Sequence, residues 1–559
     1  NYRGTLTLSG ANDFEGDTEV GSVLNVGSAT ALSAQSKLKV NNGGMVKLNG
    51  FDSTVAGLEG NGTIQGSAAL TAGDENDATF SGILQDGTGG LSLMKKGSGK
   101  MTLSGANTFT GATTVTSGTL EVAGSGVLGG GNYGSSITVG SGGMLKLSTD
   151  ANQTLSGALS GAGDLVKQGT GTLTLSGTNS FTGTTTASAG VLVLNSSGTA
   201  ITGDSDTSTF DLEVSGGTVR VDADDQLADD VDISISSGTF DLNGSSESID
   251  GLANSGGVFT TGIGGTLTVL GNTVTWSSGT NTISAGGTVQ DTNWDVSGGT
   301  NTVDGDGGTT SGGGTLHVQS GGTGFEFTGS GTPNITLSSD NTAAGRMLLE
   351  GKLSVASTYT GTGATITSGG SGSQAGYIDL GAGTRTFEIN DSANAADDLT
   401  VSAVITNGSI TKTGLGTLVL SGANTYTKAQ IGATNQVGNA GTISIEHNTA
   451  LGTGQLDYGS GGTLDLGVTG LTVANNVFVG NRTDGSDYKI QLDLAGTATG
   501  ELTGFIDIRK GSPGVFVAEV GADDTLTFSG LVKTGAGGGA GLNKIGAGTL
   551  VLTNDNTYK

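Results

Sequence analysis

His317 and His447 are the only histidines in a chain of 559 residues that contains no cysteine. A Ser-His-Asp hydrolase would have to run through one of them. The nearest approach to a serine-nucleophile sequence is Gly203-Asp204-Ser205-Asp206. It lacks the glycine that follows the serine of a nucleophile turn, and a chain this rich in Gly, Ser and Asp produces such a match by chance. His317 stands between Leu316 and Val318, so alternation places it on the solvent side of a strand. Carboxylate chemistry needs clustered acids, often with a basic residue or calcium. Three clusters occur: Asp74-Glu75-Asn76-Asp77, Asp222 to Asp232, and Asp304-Gly305-Asp306. The first two read as solvated loops. Asp304 and Asp306 could hold calcium weakly, but the Gly-Gly-x-Gly-x-Asp periodicity of calcium-binding rolls is missing. Repeated Gly-x-Gly reads as turn chemistry, since no helix follows to receive a phosphate. No catalytic, cofactor-binding or metal residue is assigned, and the expectation is a protein that is not an enzyme and carries no cofactor.

The elements that would have to position any such residue are set by a repeat. The fullest copy is Leu91 to Val122, LSLMKKGSGKMTLSGANTFTGATTVTSGTLEV. Others run Gly4 to Val20, Leu165 to Leu194, Ile410 to Thr427 and Asn543 to Lys559. In the fullest copy Met101 and Leu103 alternate with Lys100, Thr102 and Ser104, which predicts a half-buried strand. Ser104 to Asn107 form a turn, Phe109 anchors a second strand, and Val115 lies in a third. Ser117-Gly118 then turns the chain into Thr119 to Val122, a second copy of the opening alternation. Gly99 and Gly118 are 19 residues apart, as are Gly171 and Gly190. Direction and alternation therefore return after about twenty residues, so the second Gly-Thr-Leu strand is expected to lie on the first. The result is a parallel coil with rungs about 4.8 Å apart. No single rung buries enough to fold alone, so stability must come from stacking.

The pattern Lys-x-Gly-x-Gly-Thr-Leu-x-Leu-Ser-Gly-x-Asn-Thr-Phe/Tyr-Thr-Gly, followed by Gly-Thr-Leu-x-Val, resembles the autotransporter-associated β-strand repeat of type V secretion passengers and giant bacterial surface proteins. Lys96 to Val122, Lys167 to Leu194 and Lys412 to Thr427 carry it most fully. The first copy departs with Asp13 and Glu15, and the fourth with Lys428 in place of glycine. The resemblance implies a segment displayed outside a Gram-negative cell, an outer-membrane secretion route and an absence of cysteine suited to crossing unfolded.

Composition agrees with a thin, repetitive core. There are 108 glycines, two prolines and only 4% aromatic residues, with hydrophobic residues at 33%. That cannot fill several thick cores, while mean hydropathy of -0.02 excludes the strongly polar composition of a disordered chain. Net charge is -28, with 22 basic residues in no cluster longer than Lys95-Lys96 or Arg509-Lys510. A nucleic-acid partner is excluded on that ground, and an anionic membrane surface is disfavoured. No run of 18 apolar residues exists, so this segment is not expected to insert into a membrane. Asn1 and Lys559 both fall inside repeats, and the chain reads as an excerpt of a longer protein.

Between the recognisable copies the rung signal continues. Phe80-Ser81-Gly82, Leu155-Ser156-Gly157 and Phe528-Ser529-Gly530, with the looser Val401-Ser402-Ala403, each precede a motif and read as the rung beneath it. From 199 to 403 the motif is absent, but Gly-Thr-apolar steps recur at Gly217, Gly238, Gly265, Gly287 and Gly314. The two tryptophans, Trp276 and Trp294, each precede a Gly-Thr-Asn-Thr run and are expected to stack on adjacent rungs. A structural ladder is the preferred reading over a sugar-stacking platform, which would want exposed aromatics nearby.

The expectation is an all-β fold, a right-handed parallel β-helix (β-solenoid) forming one continuous elongated rod of about twenty-five rungs. Its parts are 1–198 and 404–559 with recognisable repeats, 199–403 with diverged rungs, and a loop-rich stretch near 477–521. The expected role is an extracellular structural or adhesive fibre or stalk, self-associating end to end or laterally, or meeting a host or neighbouring-cell glycan or protein. The alternatives are a glycan-active β-helix enzyme and a receptor-binding toxin or adhesin passenger.

Overall fold

A computed structural model describes residues 4–204, 209–305, 312–339, 343–369, 375–432, 439–480, 487–509, 515–534 and 541–557. Among these the only helical element is a single turn, Gly129–Gly131. The rest of the regular structure is β-strands, which among the described residues pair in parallel, in a β-solenoid of about 21 turns. Among the described residues no helix is long and apolar enough to cross a membrane. The chain divides into two compact units. One comprises Asn1–Thr260 with Thr266–Gly271, the other Thr261–Gly265 with Asn272–Lys559.

In the first unit a turn consists of three strands. Gln153–Leu155, Leu159–Gly161 and Asp164–Lys167 are followed by Thr172–Leu175, Ser180–Phe181 and Thr185–Ala187, each lying on its predecessor. Leu175 sits on Leu155, so the advance is 20 residues. The burial pattern of Thr172–Leu175 is strictly alternating, with threonines outward and leucines inward. Like stacks on like through successive turns: Leu145, Leu165, Thr185, Leu212, Ile233 and Leu252 form one inward column. Burying each leucine or isoleucine contributes about 1.5–3 kcal/mol, so cohesion accumulates along columns rather than in any one layer.

In the second unit the turns are longer. Thr315–Val318, Gly324–Phe327 and Asn334–Leu337 are covered by Arg346–Leu349, Leu353–Val355 and Ala364–Ser368. Leu316 pairs with Met347, and Phe327 with Val355. The extra residues lie in connections between strands, which is why the number of turns falls below the twenty-five expected from a uniform period. The stretch expected to be loop-rich carries the strands Val477–Val479, Tyr488–Leu492, Thr499–Leu502, Ile506–Ile508 and Phe516–Val520. Pro513 and Lys510 lie outside the described residues.

The central expectation is met residue by residue. Met101 pairs with Leu120 and Leu103 with Val122, so the two Gly-Thr-Leu-type strands of the fullest repeat do stack. In the next copy Leu173 and Leu175 pair with Leu192 and Leu194. The segments read as the rung beneath each motif are there too: Phe80 under Leu103, Leu155 under Leu175, Val401 under Leu420 and Phe528 under Leu552. One local expectation fails. Phe109 is buried but lies in no strand, and the chain from Thr113 to Gly124 is one continuous strand with a bulge after Val115. Gly118 bends it by adopting a φ of 66°, a left-handed value that glycine reaches without steric cost.

Candidate functional site

The repeat closes on a buried lysine. Lys95 and Lys167 each end a strand in which alternation turns every second residue inward, and Lys412 lies near the end of a third. All three are buried. The Lys95 ammonium donates to the carbonyls of Lys96 (2.9 Å), Gly97 (2.8 Å) and Ser117 (3.1 Å). Lys412 donates to Thr413 (3.2 Å), Gly414 (2.8 Å) and Ala440 (2.8 Å). Lys167 donates to Gly169 and, at 3.1 Å, to Ala189. In each case one acceptor belongs to the next turn and immediately precedes a left-handed glycine: Gly118, Gly190 and Gly441, with φ of 66°, 64° and 67°. A Cβ on Gly118 would stand 2.5 Å from the Gly97 carbonyl oxygen. The glycines therefore shape the corner whose carbonyls converge on the ammonium, a cation held entirely by backbone dipoles. Burial pushes the Lys412 ammonium down to about 7, with the Asp398 carboxylate pulling the other way. Lys95 and Lys167 are lowered by burial in the same sense.

A buried asparagine performs the complementary task. Asn107 accepts from the Leu84 amide (3.0 Å) on the preceding turn and donates to the Val127 carbonyl (3.2 Å) on the following one. Asn179 bridges Leu159 (2.9 Å) and Ala200 (2.8 Å) in the same way, and Asn424 bridges Ile405 (2.8 Å) and Ala450 (2.7 Å). Asn12 and Asn556 keep one arm each, to the Ala31 carbonyl and from the Val532 amide. The aromatic that follows, Phe109, Phe181 or Tyr426, is fully buried beside the asparagine. The motif turns of Asn107, Asn179 and Asn424 are thus tied by polar contacts to both neighbours, and leaving such groups unpaired inside would cost about 1–3 kcal/mol each.

The resemblance placed the motif lysine of the fullest copy at Lys96. The structure puts Lys95 in that role, because Lys95 ends the strand facing inward whereas Lys96 begins the turn. Sequence reasoning also missed a set of buried carboxylates. Glu247 accepts from the Gln226 and Leu227 amides, both at 2.9 Å, and Asp398 from Ser392 (2.7 Å) and Thr417 (2.8 Å). Asp524 accepts from Ala498 (2.8 Å) and Leu494 (3.1 Å). Burial raises Glu247 to about 7 and moves Asp398 in the same direction. The available signal was an acid at the start of, or just before, an apolar strand.

The residues singled out for chemistry do not converge. His317 lies half-buried on the outward side of its strand, 3.0 Å from Glu350, and His447 bonds Thr449 within its own turn. Asp204 is bonded through its amide to Asp211, while Ser205 and Asp206 lie outside the described residues. Asp304 accepts from Ser338 at 2.6 Å and from the Gly305 amide, and Asp306 is likewise outside the described residues. Asp74 and Asp77 cap backbone amides in a surface loop, as read. The second acidic stretch is not wholly solvated: Asp222 is held by Arg220 at 2.6 Å, and Asp232 is buried at the start of a strand. No group of three metal-ligating side chains occurs among the described residues. Trp276 and Trp294 are buried with ring centroids 5.3 Å apart, edge to face, which is the structural ladder.

The passenger-associated-transport-repeat family matches the chain at residues 3–22, 93–122, 165–194, 410–445 and 542–559, about a quarter of its length. No curated protein and no solved structure matches it. Each of the five matched segments contains one of the asparagines Asn12, Asn107, Asn179, Asn424 and Asn556, and three of them contain a buried motif lysine. The chain is a parallel β-solenoid in which five segments match the passenger-associated-transport-repeat, each with an asparagine bonded across turns, on both sides at Asn107, Asn179 and Asn424.

Proposed function

We propose that the chain is the passenger segment of an autotransporter-type protein, displayed outside a Gram-negative cell as a structural or adhesive fibre or stalk rather than as an enzyme. One observation carries this reading. The polar groups that the repeat reuses, Lys95, Lys167 and Lys412 with Asn107, Asn179 and Asn424, are all spent on bonds between successive turns and none is presented to a ligand. The recurring chemistry therefore makes the coil resist being pulled apart or cleaved. The outward face, rich in threonine, serine and asparagine and carrying the net charge of -28, keeps it soluble and offers many weak polar contacts to a surface glycan, a protein or another copy.

Antibody labelling of intact cells of the source organism, followed by protease treatment, tests display and toughness together. Labelling without permeabilisation and survival of large fragments are expected. Signal only after permeabilisation would refute display, and rapid cleavage throughout the strands would refute the mechanical role.

A further inference from the structure

One sheet of the second unit carries a two-dimensional array of threonine. Val274–Ile283, Thr300–Val303, Asn334–Leu337 and Ala364–Ser368 pair in register, in parallel. Thr280, Thr300, Asn334 and Thr365 form one outward column, which Thr400 of the next strand extends. Thr282, Thr302, Thr336 and Thr367 form a second column beside it. The residues between them, Asn281, Asn301, Ile335 and Ile366, are buried. Strand geometry sets the array's dimensions: about 4.8 Å from rung to rung and about 6.6 Å between columns.

Three features distinguish it from a merely polar surface. Threonine has a stiff χ1, so an in-register stack repeats its hydroxyl and methyl positions rather than scattering them. Bonds within the array fix them further: Thr365 donates to the Asn334 carboxamide oxygen (2.9 Å), Thr336 accepts from the Asn334 amide (3.1 Å), and Thr367 and Thr336 lie 3.4 Å apart. Each hydroxyl keeps further capacity to bond outward. Beneath, the Asn281 amide donates to Asn301 at 2.7 Å and ties two of the strands together. Finally, none of the nine positions is charged, in a chain with 72 charged residues. The other faces of the same turns are not spared: Asp295, Glu326 and Glu388 share one column, and His317 and Asp379 another.

We propose that this face binds ice. A rigid, charge-free grid of alternating hydroxyl and methyl groups fits an occupant that is itself uncharged and periodic in two dimensions. The oxygen lattice on a prism face of ice has one repeat close to the rung spacing and another about a tenth longer than the column spacing. Hydroxyls enter the lattice as oxygen sites, and the methyls between them hold water in ordered cages. A charged side chain carries its own hydration shell, which no ice plane accommodates.

The experiment uses the full chain, assayed for adsorption to a growing ice hemisphere and for inhibition of ice recrystallisation. The comparisons are Thr302→Lys with Thr336→Lys, both outward in the array, and Thr288→Lys on another face as control. Circular dichroism melts establish that all variants remain folded. The wild type and the control are expected to enter the ice and suppress recrystallisation, and the array double variant to lose both. Exclusion of the wild type from ice, or a double variant that adsorbs like the wild type, overturns the proposal. So does adsorption to crystalline cellulose or chitin without adsorption to ice.

Discussion

Two regions hold successive turns in register by different means. From Ser92 to Leu194 in the first unit, turns close on the Lys95 and Lys167 clasps and on the Asn107 and Asn179 bridges. In the motif-free stretch of the second unit, Trp294, Phe325, Leu353 and Phe387 stack as one inward column, with Trp294 and Phe325 ring centroids 5.9 Å apart and 30° between planes. The first device is directional: it needs particular carbonyls at particular corners, and it keeps the turn short. The second needs only large apolar surface at the right pairing, and it tolerates connections that lengthen the turn to 28 or more residues between paired positions such as Phe325 and Leu353. Polar ties specify register, whereas aromatic columns supply adhesion that survives loop insertion.

The sharpest way to break this contrast is Trp294→Ala. It should cost about 3–5 kcal/mol and loosen the stretch from Trp276 to Phe327, read as lost amide protection by hydrogen exchange. Protection unchanged there would show that the aromatic column is not what binds those turns. Asn107→Leu comes next, at about 2–3 kcal/mol, because the Leu84 amide and Val127 carbonyl both lose a buried partner. The same assay should show loss on both flanking turns, and loss on one side alone would contradict a bridge. Lys95→Met keeps the bulk and removes the donor, so the expected cost is about 1–3 kcal/mol, centred on Ser117 and Gly97. Urea melts of Lys95→Met against Lys96→Met separate the two lysines: only the former should shift.

The remaining effects are in pH, and their signs differ between the units. Glu247 is held at about 7, above its ordinary value of 4.5. Between those values the folded chain keeps a proton that the unfolded chain releases, so stability at Gln226 and Leu227 falls as pH rises through the window. Lys412 is held at about 7, below its ordinary 10.5, so there the unfolded chain binds more protons and stability around Ala440 rises with pH from about 7 to 10.5. Hydrogen exchange corrected for intrinsic rate should show both slopes. Glu247→Gln and Lys412→Met should each flatten its own slope and leave the other.

Much of the fold was legible because the sequence repeats. The alternation at Met101 and Leu103, its return at Leu120 and Val122, and the Phe80, Leu155, Val401 and Phe528 segments beneath the motifs were all placed correctly. The clasp was not. With Lys95 and Lys96 adjacent the motif start is read one residue late, although inward-facing Leu91 and Leu93 and the Lys-x-Gly-x-Gly spacing at Lys167 and Lys412 both select Lys95; the carbonyls that hold its ammonium leave no mark in the sequence. Buried carboxylates such as Glu247 and Asp398 look like solvated acids in sequence, since their partners are backbone amides that leave no side-chain signal.

The spacing of like residues alone determined that the chain returns on itself in parallel, because only stacking at that period buries leucine on leucine turn after turn. Which polar residues turn inward was decided by the tertiary structure. A lysine or asparagine is stable inside only where carbonyls and amides of neighbouring turns converge on it, and those positions depend on left-handed glycine corners that exist only once the next turn is in place.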